Sequence, residues 1–148
     1  MLLIQKLAVL FGVAGLAPFV ATLLIMMFWK DMSLIGEKLF YLYSAGILAF
    51  MAGAYWTISM QVEERSYPVS PVSAMLLSQF FFLAAALPLL TPWQVQAVVF
   101  PLLYILLFLT DYRAMNSYWP AWYIHLRLLL TTVVVACQVI AAVWLYLP

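Results

Sequence analysis

The sequence predicts an all-α fold, in which a single domain over residues 1–148 forms a polytopic helical bundle of five transmembrane helices. Hydrophobic residues make up 69% of the chain and charged residues 7%, whereas a soluble domain is about half apolar and about a quarter charged. Apolar stretches recur at close to the length of about 20 residues that a spanning helix needs. We expect the helices at residues 7–29, 38–60, 72–90, 95–110 and 126–147.

The first apolar stretch, residues 7–29, carries no charge and ends before Lys30. A cleaved signal peptide is the alternative, because Lys6 precedes the apolar run. The run is too long for a signal peptide, however, and it ends without a small-residue cleavage site. Pro18 lies in the middle of this stretch, where its ring would free the carbonyl of Ala14 and kink the helix.

The second helix carries small residues at every fourth position. Residues four apart lie on one side of a helix, and small side chains let a second backbone approach closely in a membrane. We therefore predict that this small-residue seam packs against another helix of the same chain, with a homodimer contact as the alternative. The seam consists of Ala45, Ala49, Gly53 and Thr57.

The loop at residues 61–71 holds three adjacent charges, Glu63, Glu64 and Arg65, and it also contains two prolines that end the preceding helix. Paired carboxylates are compatible with a metal site or with acid–base chemistry. Neighbouring charges on a loop are more commonly solvated, and we interpret these in that way.

The distribution of cations predicts the orientation in the membrane. With five spans, four cations fall on the face of the N-terminus, whereas Lys30 and Lys38 fall on the other. The positive-inside rule then places the N-terminus in the cytoplasm. The four cations are Lys6, Arg65, Arg113 and Arg127.

Residues 111–135 contain the densest polar chemistry of the chain. Asp111 lies at the negative end of the fourth helix dipole and Arg127 near the positive end of the fifth. Because the two helices are consecutive and antiparallel, an ion pair of Asp111 with Arg127 or Arg113 would offset both penalties. At an exposed surface such a pair contributes only about 0–1 kcal/mol.

Aromatic residues frame these charges, as is typical of the headgroup region of a membrane. Pro120 suits the first turn of the fifth helix, with Asn116 or Ser117 as its cap. His125 is the only histidine, so it forms neither a triad nor a metal site. The aromatic residues are Tyr112, Tyr118, Trp119, Trp122 and Tyr123.

Two motifs resemble a family of uncharacterised membrane proteins that includes transmembrane protein 69 of mitochondria. One is PAWYIHLRLLLT at residues 120–131, with Asp111 upstream, and the other is YSAGILAFMAGAYW at residues 43–56. This chain departs from the second motif at Ala52, where the resemblance leads us to expect glycine, and at Tyr55. The resemblance implies a multi-span bundle of a bacterial or mitochondrial inner membrane, and it brings no established activity with it.

Composition limits the classes of function. The net charge of +1 leaves no basic face for nucleic acid. The single cysteine, Cys137, excludes an internal disulfide and a thiolate metal cage. We therefore expect no metal, no cofactor and no nucleic-acid partner, and we expect the lipid bilayer to be the main environment.

The first functional hypothesis is a non-enzymatic accessory, assembly or scaffolding component of a bacterial inner membrane. It would dock to a membrane protein, or to a second copy, through the small-residue seam or the aromatic stretch.

The second hypothesis is a protein that binds or transports an anionic lipid headgroup or a small solute at the cytoplasmic face. Its candidate ligand-binding residues are Asp111, Arg113, Trp122, Tyr123 and Arg127. A polar cavity lined by Gln79, Gln138 and Tyr55 would favour this hypothesis.

A third hypothesis is an interfacial enzyme using Glu63, Glu64, Asp111 and His125, which all fall on one predicted face. No nucleophile motif accompanies these residues.

Overall fold

Five membrane-length helical segments build the protein, in a computed structural model that describes residues 2–61, 71–113 and 119–147. Each is long and apolar enough to cross a bilayer, and nearly every described residue is helical. The predicted all-α fold with five spans is therefore confirmed. The α-helices in these ranges are α1 (Leu2–Ala14), α2 (Ala17–Phe28), α3 (Ser33–Gln61), α4 (Pro71–Ala86), α5 (Trp93–Arg113) and α6 (Ala121–Tyr146).

The first span is broken where the sequence predicts a kink. Helix α1 ends at Ala14 and α2 begins at Ala17, because Pro18 cannot donate a backbone hydrogen bond into the preceding turn. The hydroxyl group of Tyr43 donates a hydrogen bond of 2.7 Å to the carbonyl oxygen of Gly15 at this break. The break divides the packing of the span, since α2 lies mainly against α3 whereas α1 lies against α6.

The last two spans are longer than predicted. Helix α5 continues to Arg113, and α6 begins at Ala121 rather than at residue 126. The polar and aromatic residues in these extra turns lower the local hydropathy, although they are compatible with a helix. Pro120 is the N-cap of α6 and not a residue of its first turn. The predicted caps, Asn116 and Ser117, lie outside the described residues.

Only the first half of the small-residue seam packs against the rest of the described chain. Ala45 is buried and Ala49 is half-buried, whereas Gly53 and Thr57 are exposed, meaning uncovered by the rest of the described chain. Residues spaced by four drift around a helix, by about 120° over twelve residues, so the seam turns away from the core. The buried side of α3 is instead formed by Phe40, Tyr41, Ser44, Ala45, Leu48, Ala52 and Tyr55.

A close helix approach occurs at Gly36, near the start of α3. A Cβ atom there would lie 3.0 Å from the backbone nitrogen of Met26 on α2. By contrast, a Cβ atom at Gly46 or Gly53 would have no neighbour within 4 Å. Gly36 therefore permits close packing against α2, and Gly12 lies similarly close to Leu130 of α6, whereas the glycine of the predicted seam meets no neighbour.

Candidate functional site

The ends of α5 and α6 bring two opposite charges together. Asp111 is the third residue from the end of α5, and Arg127 is the seventh residue of α6. The Nη2 atom of Arg127 lies 2.6 Å from Oδ2 of Asp111, and Nε donates to the same oxygen at 3.0 Å. The ion pair predicted between these residues is therefore confirmed.

The burial of this pair differs from the sequence-based expectation. Asp111 is only 3% exposed and Arg127 only 4% exposed, whereas we expected a solvated pair at the membrane surface. Tyr55 of α3 lies 56 residues before Asp111 in the chain, and its coverage of the charges depends on tertiary packing. Helix-end reasoning therefore predicted the partners but not their depth.

The second oxygen of Asp111 is also occupied. The hydroxyl group of Tyr55 donates to Oδ1, and the indole Nε1 of Trp119 donates to the same atom at 3.2 Å. Together with the two bonds from Arg127, the carboxylate accepts four hydrogen bonds. An ionised carboxylate has about four acceptor positions, so its capacity is filled. We call Asp111, Arg127, Tyr55 and Trp119 the Asp111 cluster.

The Asp111 cluster connects three helices and the residue before the N-cap of α6. A buried pair contributes little relative to apolar residues that fill the same space, but removing one partner leaves a charge buried without compensation. That loss costs about 3–5 kcal/mol in comparable sites. The cluster therefore fixes how α3, α5 and α6 meet.

A second polar layer connects the same helices. The Nε2 atom of Gln138 donates to Oγ of Ser44 at 2.7 Å, and Ser44 donates to the carbonyl oxygen of Phe40 at 2.8 Å. The hydroxyl group of Tyr104 donates to the carbonyl oxygen of Ser44 at 2.6 Å. The Oε1 atom of Gln138 is buried without a partner among the described residues.

A cavity of about 460 Å³ lies beside the Asp111 cluster, between the first span, α3 and α6. Its walls are mostly apolar, and Met51, Leu130 and Val134 contribute to them. Phe11 of α1 and Phe50 of α3 also line it, although they are 68% and 79% exposed. Because both side chains are largely uncovered, this part of the cavity lining lies at the apolar outer surface of the described helices.

Polar groups of α6 follow one wall of the cavity. Tyr123, Arg127 and Thr131 all line it, and their spacing of four residues places them on one side of the helix. We call these three residues the α6 polar row. Within the described ranges, the hydroxyl groups of Tyr123 and Thr131 form no hydrogen bond, whereas the neighbouring Thr132 donates to the carbonyl oxygen of Leu128 at 2.7 Å.

Arg127 is shared between the Asp111 cluster and the cavity. Its Nε and Nη2 atoms donate to Asp111, while Nη1 contacts only the sulfur of Met51 among the described residues. A thioether sulfur is a weak acceptor, and a guanidinium carries five N–H donors. The side of Arg127 that faces the cavity therefore has unused hydrogen-bonding capacity.

The remaining predicted ligand residues are divided between the site and its surroundings. Tyr123 lines the cavity, and Trp122 is half-buried with its ring centroid 6.1 Å from that of Tyr123. Arg113 is exposed and forms no ion pair within the described part of the chain. His125 is exposed as well. The loop charges Glu63, Glu64 and Arg65, and the aromatic Tyr118, lie outside the described residues.

Sequence reasoning missed two residues of the site, Met51 and Thr131. The spacing of Thr131 four residues after Arg127 was an available signal, but it gains meaning only once a cavity lies beside that side of α6. Tyr55 and Gln138, which would have favoured ligand binding if they lined a polar cavity, are 1% and 0% exposed and do not line this one. Gln79 is half-buried on α4.

The fold and the buried charge cluster define a polytopic α-helical membrane protein. The chain belongs to a family of proteins of unknown function, DUF3429, whose model matches residues 4–143. The expected membership in an unknown-function family is therefore confirmed, while the match brings no link to transmembrane protein 69. No curated protein and no solved structure matches the chain.

Proposed function

We propose that this protein is a non-enzymatic membrane component that binds a lipid-like molecule inside the bilayer, in the cavity between α1, α3 and α6. The observation that carries the proposal is the cavity itself. Its volume of about 460 Å³ falls within the range of about 300–1,000 Å³ that is usual for ligand sites. Its apolar walls and few polar groups also match the usual composition of such sites.

The opening of the cavity supports a ligand that comes from the membrane. Phe11 and Phe50 flank an opening on the apolar outer surface of the helices. A molecule dissolved in the bilayer reaches this opening without crossing a polar layer. The apolar lining therefore favours a membrane-dissolved ligand over a transported solute.

The state of Asp111 supports a non-enzymatic function. A general base needs a free lone pair directed at the proton that it removes, and the acceptor positions of Asp111 are filled by Arg127, Tyr55 and Trp119. His125 is exposed on α6 and does not line the cavity. These features favour a binding or structural role for the cluster.

Filling the cavity tests the proposal. Ala8 lines the cavity from α1, so Ala8→Trp should occupy the ligand volume. Ala21 is exposed on α2, and Ala21→Trp is the matched control. Native mass spectrometry of protein extracted from membranes in mild detergent should show a retained lipid in the unmodified protein and in Ala21→Trp, with most of it lost in Ala8→Trp. Equal retention in all three proteins would contradict the proposal.

A docking subunit is the second candidate function, and the uncovered surface of α3 supports it. Gly46 and Gly53 are exposed, and an added Cβ at either position meets nothing. A transmembrane helix of another protein, or of a second copy, could approach closely there. Gly53→Leu should then release a co-purifying partner, whereas Ala136→Leu on the exposed side of α6 should not. Identical co-purification in both variants would contradict this function.

The same proposal places the protein in a bacterial cytoplasmic membrane with its N-terminus in the cytoplasm, and a mitochondrial inner membrane is the alternative. The resemblance of residues 120–131 to transmembrane protein 69 supports an inner-membrane location. Because Arg127 is buried and paired, we leave it out of the sequence-based count, which changes from four cations against two to three against two. Five spans then place the C-terminus on the opposite side of the membrane. A reporter that is active only in the cytoplasm should therefore be inactive when it is fused after Pro148, and an active fusion would contradict the orientation.

A further inference from the structure

We infer that the ligand of the cavity is an uncharged lipid with a carbonyl or ester oxygen, which accepts hydrogen bonds from the α6 polar row. This inference rests on the proposed function and specifies the class of its ligand. It replaces the anionic headgroup that the sequence suggested for Arg127. Diacylglycerols and isoprenoid quinones share the required chemistry.

The charge balance of the Asp111–Arg127 pair favours an uncharged ligand. Arg127 is neutralised by Asp111 through two hydrogen bonds, and both side chains are at least 95% buried. An anionic headgroup beside them would give the site a net charge of −1 in a low-dielectric environment. Burying an uncompensated charge is costly. An uncharged ligand leaves the balance of the pair unchanged.

The hydrogen-bond donors of the α6 polar row favour a ligand with an acceptor oxygen. The α6 polar row presents the Nη1 donors of Arg127, which contact the sulfur of Met51. It also presents the hydroxyl groups of Tyr123 and Thr131, which have no hydrogen-bond partner in the described part of the chain. All three groups can donate, and a carbonyl oxygen has two lone pairs with which to accept. A purely hydrocarbon ligand would leave these donors unsatisfied, so an acceptor oxygen suits the site better.

The position of Arg127 along α6 also favours a neutral group on the ligand. Arg127 lies six residues after the first residue of α6, which is about 9 Å along the helix. A phosphate group at that depth would be drawn away from water, whereas a neutral carbonyl group loses less hydration. Deeper in the cavity, Leu130 and Val134 line a wall without charge. That part of the cavity suits the hydrocarbon chain of the same ligand.

Binding of defined lipids tests the inference. The unmodified protein is delipidated and incubated separately with dioleoylglycerol, a decyl-substituted benzoquinone and dioleoylphosphatidylglycerol, and occupancy is measured by native mass spectrometry. We expect at least one neutral lipid to bind at least about tenfold more tightly than the anionic one, because the anion adds an uncompensated charge. The two neutral probes distinguish a glycerolipid ligand from a quinone.

Matched variants test the hydrogen bonds without breaking the ion pair. Thr131→Val and Tyr123→Phe each remove one hydroxyl group that lines the cavity, and each should weaken binding of the neutral lipid about 2- to 10-fold. Thr132→Val removes a hydroxyl group that faces away from the cavity, and it should leave binding unchanged. Equal effects of Thr131→Val and Thr132→Val would overturn the inference.

The outcomes separate this inference from the proposed function. If phosphatidylglycerol binds as tightly as the neutral lipids and Ala8→Trp abolishes its binding, the cavity is a lipid site but the inference on charge is wrong. If no probe binds but the unmodified protein retains a native lipid that Ala8→Trp loses, the proposed function stands and the inference on the class of ligand is wrong. Preferential neutral-lipid binding that Ala8→Trp abolishes and Ala21→Trp preserves supports both.

Discussion

The Asp111 cluster and the α6 polar row meet at Arg127 but differ in how their polar groups are satisfied. In the cluster, every acceptor position of the carboxylate is filled by a donor from the chain. In the row, Tyr123 and Thr131 line a cavity, and their hydroxyl groups have no hydrogen-bond partner among the described residues. A filled buried network fixes a structure, whereas unfilled donors beside a cavity favour a ligand.

This difference assigns two roles to one arginine. The Nε and Nη2 atoms of Arg127 hold α6 against α5, and Nη1 faces the cavity wall at Met51. Substitutions in the cluster should therefore reduce stability, while substitutions of the two row hydroxyls should reduce ligand binding and leave stability nearly unchanged. The variants below separate these two effects.

Removing Arg127 should lower the stability of the protein more than any other single substitution considered. Arg127→Met should lower the free energy of unfolding by about 3–5 kcal/mol, because Asp111 would remain buried without its partner. Arg113→Met is the matched control, since Arg113 is exposed on the same side of the membrane, and its effect should be within about 0.5 kcal/mol. Denaturant titration in detergent micelles measures both values.

The corresponding double variant sharpens this prediction. Asp111→Leu combined with Arg127→Met removes both charges, and it should be more stable than either single variant. A double variant as unstable as the sum of the two single variants would show that the two charges do not act as a pair.

Removing the hydrogen bond from Tyr55 to Oδ1 of Asp111 should reduce stability by a smaller amount. Tyr55→Phe removes one donor from the carboxylate and should cost about 1.5–3 kcal/mol, the usual range for a hydrogen bond to a charged group. Tyr112→Phe, at an exposed position of α5, serves as its control and should have almost no effect. If the two variants unfolded at the same midpoint, Tyr55 would have no structural role in the cluster.

Loss of the Tyr43 hydroxyl group should moderately reduce both the stability of the protein and its retention of lipid. Its hydroxyl group satisfies the Gly15 carbonyl at the break that positions α1, and α1 forms one wall of the cavity. Tyr43→Phe should cost about 0.5–1.5 kcal/mol of stability and should also weaken lipid retention. Retention is measured by native mass spectrometry, and unchanged retention together with lower stability would show that α1 does not depend on this bond.

The smallest effect on stability is expected in the α6 polar row. Thr131→Val preserves the shape of the side chain and breaks no hydrogen bond within the described chain, so the free energy of unfolding without ligand should change by less than about 0.5 kcal/mol. Thermal unfolding of the delipidated protein measures the change. A loss comparable to that of Tyr55→Phe would show that Thr131 belongs to the structural network.

The sequence predicted the parts of this account that depend on local chemistry. Five spans follow from the length of the apolar stretches, and the break near Pro18 follows from its missing donor. An ion pair of Asp111 with Arg127 or Arg113 follows from the antiparallel arrangement of consecutive helices, and the structure selects Arg127. None of these predictions required knowledge of contacts between distant parts of the chain.

The remaining features depend on tertiary packing, which a single sequence does not specify. Tyr55 reaches Asp111 from another helix. The positions of the charges at the helix ends therefore predicted neither the burial of the pair nor the four hydrogen bonds that the carboxylate accepts. The predicted seam packs within the chain only at Ala45 and Ala49, because a spacing of four residues drifts around α3 and leaves Gly53 exposed. The cavity arises from how the first span, α3 and α6 meet, and no local pattern encodes it.

Photo-crosslinking identifies the residues that contact a bound lipid. A diacylglycerol that carries a diazirine beside its ester groups would be incorporated into nanodiscs with the unmodified protein, and the modified residues would be identified by mass spectrometry. We predict adducts at Met51 and on the side of α6 that contains Tyr123 and Thr131. Adducts equally frequent at Leu128 and Leu129, which are 50% and 56% exposed on α6, would show only contact with bulk lipid and would contradict a specific site.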